Sequence, residues 1–130
     1  TLYGSGEQIR GFLPLADSLQ CIGLAIDNPP LPGEYRTFNQ YEDIYTIRQL
    51  AEMVFRGAKS LGLHPVIDHL NNPRTESENH YYNPTHQKLF DLGYVPTTDT
   101  ENQIKLLIDK LLPYGDRVHR DVIAPTTTWR

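Results

Sequence analysis

Tyr3-Gly4-Ser5-Gly6-Glu7-Gln8-Ile9-Arg10-Gly11-Phe12 reads as the end of one strand, a glycine turn and the start of a second strand. The residues after the glycines decide the fold. A dinucleotide-binding turn needs a third glycine at its set spacing and a helix behind it, so that the helix N-terminus faces the pyrophosphate. Position 9 is Ile instead, and residues 9–15 alternate loosely, with apolar side chains at Ile9, Leu13 and Leu15. That pattern predicts a short strand, and Pro14 ends it or places it at a sheet edge. No Walker-type loop occurs either, so any dinucleotide-binding fold lies outside these residues.

Outward from this stretch the chain alternates helix and strand signals. Asp17 is placed to cap a helix over 18–27 with an apolar stripe of Leu19, Ile22, Ala25 and Ile26. Asn28-Pro29-Pro30-Leu31-Pro32-Gly33 breaks it, and Glu34 to Asn39, with Tyr35 and Phe38, predicts a strand. Thr46 followed by Gln49 is a capping box for a helix to about Leu61, with Ile47, Leu50, Ala51, Val54 and Ala58 on one face and Gly62 as its stop. His64 to Leu70 predicts another short strand, and 71–82 is polar and irregular. Asn83 and Pro84 read as N-cap and first residue of a short helix stopped by Gly93. Thr98 with Glu101 reads as a second capping box, for a helix over 99–112 with Ile104, Leu107, Ile108 and Leu111 as its stripe. The last ten or so residues read as an extended tail. Three or four helices among short strands make an α/β or α+β pattern.

Composition narrows the function classes. The chain has 130 residues, 38% hydrophobic and 22% charged, which suits one globular domain. A formal charge of −4 disfavours a basic nucleic-acid or polybasic membrane surface. The single cysteine, Cys21, allows no internal disulfide and no cysteine zinc cluster, and its apolar neighbours predict a buried side chain in a reducing compartment. No apolar run approaches the ~20 residues of a membrane-spanning helix, and no signal peptide opens the chain. The chain enters a strand directly from Thr1, so a piece of something longer is expected.

The histidines, 64, 69, 80, 86 and 119, form no HExxH or HxH pair. Glu78 and His80 can share a strand face, but two ligands make no metal site, and none is expected. No nucleophile elbow is present, and Cys21 lies mid-helix among apolar residues, a poor setting for a nucleophile.

Two segments carry binding chemistry. Gln8 and Arg10 stand two apart on a predicted strand, hence on one face. An amide with two donors and a planar guanidinium suit a phosphorylated sugar, although the spacing alone favours a tight turn with a surface arginine. In Pro73-Arg74-Thr75-Glu76-Ser77-Glu78, an arginine in a loop beside two acids suits a diphosphate with a carboxylate on ribose hydroxyls. A solvated loop with a local ion pair has the same composition. Tyr81 and Tyr82 read as core aromatics that alternatively line a pocket.

Taken together, Tyr3-Gly4-x-Gly6-x-Gln8-x-Arg10-Gly11, Asp17-Ser18-Leu19-Gln20-Cys21, Pro32-Gly33-Glu34-Tyr35-Arg36-x-Phe38-Asn39-Gln40 and Asn72-Pro73-Arg74-x-Glu76-x-Glu78-x-His80-Tyr81-Tyr82-Asn83 resemble the nucleotide-sugar epimerases and dehydratases of the extended short-chain dehydrogenase/reductase family. Leu92-Gly93 and Pro125-x-x-x-Trp129 fit as well. The nearest likeness is to the sulfolipid branch, the UDP-sulfoquinovose synthases, on the Gln8/Arg10 segment and the Glu-rich Arg74 loop.

The resemblance implies an α/β fold in which this chain is the C-terminal substrate-binding domain of an NAD-dependent Rossmann-type enzyme, the Rossmann domain being absent. Residues 1–15 would link to that domain, 16–119 would form the substrate-binding domain and 120–130 the tail. It implies Arg10 and Arg74 on the UDP phosphates, Glu76 (with Glu78 as second choice) on the ribose, Tyr3 at the uracil and Gln8 on phosphate or sugar. It implies no catalytic residue in this chain, since the family's threonine, tyrosine and lysine lie upstream with NAD. The parent's reaction would turn UDP-glucose and sulfite into UDP-sulfoquinovose. The parent would be a possible homodimer in the cytoplasm or a plastid stroma, with no nucleic-acid or membrane partner. A UDP-sugar 4-epimerase or dehydratase is the alternative within the superfamily, and a free-standing binding domain without catalysis is the alternative outside it.

Overall fold

The computed structural model describes residues 1–72, 83–119 and 122. Arg74, Glu76, Glu78, Tyr81, Tyr82 and most of the 120–130 tail lie outside the described residues.

The elements in chain order are β1 (Leu2–Tyr3), β2 (Ile9–Phe12), α1 (Leu15–Asp27), β3 (Asp43–Thr46), α2 (Ile47–Ser60), β4 (His69–Leu70), α3 (Gln87–Asp91) and α4 (Thr100–Leu111), which runs into a 3-10 stretch at Leu112–Arg117. This is the small α/β domain expected. Its strands form two separate pairs. β1 runs parallel to β4, with Leu2 opposite His69 and Tyr3 opposite Leu70. β2 runs antiparallel to β3, with Arg10 opposite Tyr45 and Phe12 opposite Asp43.

α2 starts where its sequence says it should. Thr46 Oγ1 accepts from Gln49 N at 3.1 Å, and Gln49 Oε1 accepts from Thr46 N at 2.8 Å, closing the capping box. Its far end packs on α4 at Gly57, where a side-chain carbon would meet Ile108 at 3.5 Å and Ile104 at 3.6 Å. Arg56 of α2 reaches Glu101 of α4 with two hydrogen bonds, at 2.8 and 3.1 Å.

Four expectations are corrected. α1 begins at Leu15 behind Pro14, so Asp17 is no cap. It lies in the first turn, wholly buried, where Thr97 claims its carboxylate. The 34–39 stretch carries β-forming residues but is in no ladder, since no partner strand lies beside it among the described residues. Asn83 does not cap α3, whose N-cap is His86. The carbonyls just before it are already taken, Pro84 O by Tyr41 Oη and Thr85 O by Asn39 Nδ2. α4 is capped by Asp99, not Thr98, with Asp99 Oδ1 accepting from Asn102 N at 2.8 Å. Glu101, expected to close a box, instead turns to Arg56.

The core joins Cys21 of α1 to Leu89 and Tyr94, with Leu13, Leu24 and Phe38 partly buried around them. Cys21 is buried, as its neighbours predicted, and burial pushes its thiol pKa up, with the nearby Asp17 carboxylate adding to the effect. The predicted stripe of α1 is not the covered one: Leu19 is 62% and Ile26 71% exposed. The helix is apolar on two faces, and the described residues cover only that of Cys21 and Leu24.

Candidate functional site

The glycine turn after β1 is held from two sides. On one side Gly4 N donates to Leu70 O at 2.9 Å, and His69 Nδ1 lies 2.9 Å from Gly4 O. On the other, Gly6 O accepts from Arg48 N at 2.9 Å and Gln8 O from Ile47 N at 3.0 Å, so the turn satisfies two backbone donors of the first turn of α2. Gly6 has φ +78 and its α-carbon faces Arg48, with 3.2 Å left for any added carbon. A glycine is required there on both counts. Arg48 also pairs with Glu7. The backbone from Gly4 to Gln8 is therefore fixed before any ligand arrives.

On this frame Tyr3 is half-buried in β1. Gln8 is buried just before β2, only 6% exposed, and its Oε1 has no hydrogen-bond partner among the described residues. A buried amide oxygen left unpaired costs about 1–3 kcal/mol, so it is the kind of atom a ligand's donor would satisfy. Arg10 is half-buried in β2, opposite Tyr45, and its Nη1 donates to Ile9 O at 2.8 Å. The structure thus strings Tyr3, Gln8 and Arg10 along one pinned loop. Gln8, expected on the strand with Arg10, stops one residue short of it. Arg74 and Glu76 lie outside the described residues.

Sequence reasoning missed the supports of this loop. No role was expected of His69 or Arg48, yet they hold Gly4, Gly6 and Glu7. The parallel pairing of β1 with β4 was the signal that would have found His69.

Elsewhere, an apolar groove of about 290 Å³ runs between α2 and residues 65–67, lined by Leu2, Ile47, Leu50, Val54 and Val66 among others. It contains none of the predicted site residues and lacks the convergent polar groups that orient a small ligand. Among the described residues no three His, Cys, Asp or Glu side chains gather as a metal site. No described helix is long and apolar enough to cross a membrane.

No family model matches the chain. Over its whole length it is similar to two curated proteins. The UDP-sulfoquinovose synthase of Sulfolobus acidocaldarius is 45% identical over 132 residues, covering 100% of this chain and 34% of that protein. The chloroplastic UDP-sulfoquinovose synthase of Spinacia oleracea is 40% identical over 130 residues, covering 100% of this chain and 27% of that protein. The chain therefore spans about a third or less of the length of these relatives.

Proposed function

We propose that this chain belongs to the UDP-sulfoquinovose synthase family and forms the nucleotide-sugar-binding part of an enzyme that makes UDP-sulfoquinovose from UDP-glucose and sulfite. The observation that carries the reading is identity of 45% and 40% over the whole length of the chain. The pinned loop supports it, because it presents a buried amide whose acceptor no described residue pairs and, on the next strand, a guanidinium. A diphosphate calls for cations and a sugar for hydrogen-bond partners. In this reading Arg10 and Arg74 bind the diphosphate, Glu76 accepts from the ribose hydroxyls, Tyr3 lies at the uracil, and Gln8 takes the sugar or a phosphate. Gly4 N donates to Leu70 O, and Leu70 stands four residues before Arg74 in sequence.

NAD does not fit the residues described. The Gly4–Gly6 turn leads into β2 rather than into a helix, so no helix N-terminus faces a pyrophosphate there. In this reading NAD is held by polypeptide outside this chain, and this chain binds and orients substrate.

The test is calorimetry of the full-length polypeptide with UDP-glucose. Binding is expected, and its absence with Arg10 and Arg74 intact would end the proposal. Analysis of the product with and without sulfite then separates UDP-sulfoquinovose formation from 4-epimerisation or simple dehydration.

A further inference from the structure

Gly4 and Gly6 both stand in the left-handed region, at φ 63 and 78. Glycine gives up more conformational freedom on folding than any other residue, so a turn with two of them takes its shape from what holds it. The holds on its two sides differ in kind. Toward α2 they are backbone bonds, from Arg48 N to Gly6 O and from Ile47 N to Gln8 O, and any residue but proline supplies such a donor. The Glu7–Arg48 ion pair beside them is exposed, 39% and 51%, and contributes little in water. Toward β4 the ladder is only two residues long on each strand. At its end Gly4 N donates to Leu70 O, and the Gly4 carbonyl meets a side chain instead, His69 Nδ1 at 2.9 Å.

A carbonyl only accepts, so the His69 ring donates from Nδ1, and the neutral ring is the Nδ1–H tautomer with Nε2 as an acceptor. A charged ring carries the same hydrogen and makes the same bond. The backbone that carries this ring is itself held: His69 N donates to Asp68 Oδ1 at 2.9 Å, and Asp68 O accepts from Leu2 N at 2.7 Å. His69 is exposed, so its bond adds little to the stability of the whole fold. Its effect is local. Gly4 lies four residues before Gln8 and six before Arg10. A soft turn left to order itself on the ligand loses part of its affinity to that ordering.

We propose that His69 is a positioning residue of the substrate site, whose Nδ1–H holds Gly4 O so that Gln8 and Arg10 are presented to a nucleotide-sugar in one arrangement. It acts through the turn and not by contact with the ligand. The inference rests on the ligand reading above, and its experiment tells the two apart.

The experiment uses the full-length polypeptide and three variants. His69→Ala removes the donor, His69→Asn places an N–H close to where Nδ1 stands, and His69→Gln places one close to where Nε2 stands. Without ligand, hydrogen exchange at the Gly4 amide should quicken about tenfold in His69→Ala and return in His69→Asn. Affinity for UDP-glucose, by calorimetry, should fall about fivefold to tenfold in His69→Ala and His69→Gln and return to within about twofold in His69→Asn. Turnover at saturating UDP-glucose, with sulfite supplied, should stay within about twofold throughout, the mark of lost binding rather than lost chemistry. Should His69→Ala fail to fold, His69→Leu is read in its place. Unchanged affinity or unchanged Gly4 exchange in the folded alanine variant overturns the proposal, as does a turnover that falls as far as the affinity. Rescue by His69→Gln with none by His69→Asn overturns it too, by assigning Nε2 a direct contact with the ligand. An unaltered polypeptide that binds no UDP-glucose ends the ligand reading and this inference with it.

Discussion

Asp17, wholly buried in the first turn of α1, holds Thr97 through a single oxygen: Oδ1 accepts from Thr97 Oγ1 at 2.6 Å and from Thr97 N at 3.1 Å. One turn on, the Gln20 amide pairs both ways with the backbone of Val95, at 2.9 and 3.0 Å. Two side chains of α1 thus fix the segment that leads into the Asp99 cap of α4. Asp17 Oδ2 is buried without a partner among the described residues. Asp17→Ala strands two donors and should lower stability by about 3 kcal/mol. Asp17→Asn keeps both bonds to Oδ1 and removes the negative charge, so it should stay within about 1 kcal/mol of the unaltered protein. Urea unfolding of both variants checks this, and equal losses would show that the hydrogen bonds are not what matters.

Gly57 gives a prediction in which the sign depends on size. The space toward Ile104 and Ile108 is ordinary van der Waals distance for one added carbon, 3.5–3.6 Å. Gly57→Ala should therefore recover helix propensity and stabilise by up to about 1 kcal/mol. Gly57→Leu must push α4 away and should cost about 1–3 kcal/mol. Thermal melts of the pair decide it: a destabilising alanine would mean the helices have no room to spare.

The features legible in sequence were those set by neighbouring residues. Thr46 and Gln49 satisfy each other across one turn, so the start of α2 could be read directly. So could the burial of Cys21. What failed was decided by residues far apart in the chain. Asp17 and Glu101 both looked like local capping groups, and distant partners, Thr97 and Arg56, claimed them instead. The strand expected at 34–39 depends on a neighbour, and no sequence pattern supplies the neighbour. In the site, residue types and order on the Tyr3–Arg10 loop were legible. The supports from His69 and Arg48 were not, because they arise from the pairing of β1 with β4 and from the docking of the turn on α2.

Gln8 allows a binding role to be told from a structural one. Gln8→Met keeps the shape and removes the buried oxygen that no described residue pairs. Stability should hold or rise by about 1 kcal/mol, while affinity of the full-length polypeptide for UDP-glucose should fall about tenfold, the loss of one hydrogen bond. Arg10→Ala and Arg74→Ala should each weaken binding tenfold or more, since about 1.4 kcal/mol is one decade. Calorimetry beside a thermal melt reads both quantities. A Gln8→Met protein that loses stability but no affinity would place Gln8 in the scaffold rather than on the ligand.

α4 carries the acid sensitivity of its own start. The Asn102 backbone N–H holds the Asp99 carboxyl below its usual range, and the hydrogen bond from Arg56 does the same for Glu101. Both groups hold protons less tightly folded than unfolded. Their contribution is therefore present above the unfolded carboxylate range and is lost as pH falls below about 4. Melting temperature should drop between about pH 5 and about pH 3, and Glu101→Gln should flatten part of that drop. An unchanged slope in the variant would show that the Arg56 pair contributes nothing in solution.

Tyr94 sets the opposite limit. It is only 2% exposed, and its hydroxyl donates to Glu42 Oε2 at 2.8 Å. Burial pushes its phenol well above the ordinary range, and the Glu42 hydrogen bond and charge push it further. The folded protein keeps this proton after an unfolded tyrosine, with a pKa of about 10, has begun to release it. The resulting stabilisation is complete below that pH and declines as pH rises beyond it. Tyr45, raised by burial and by its bond to Asp43, acts in the same direction. Melting temperature should fall steeply above about pH 10. Tyr94→Phe should lose about 1–2 kcal/mol near neutrality, because Glu42 is left without its donor, yet its alkaline slope should be shallower. Tyr45→Phe should reproduce the shallower slope by a smaller amount, since its phenol is shifted less. If Tyr94→Phe keeps the full alkaline slope, the release of that phenolic proton is not what limits the fold at high pH.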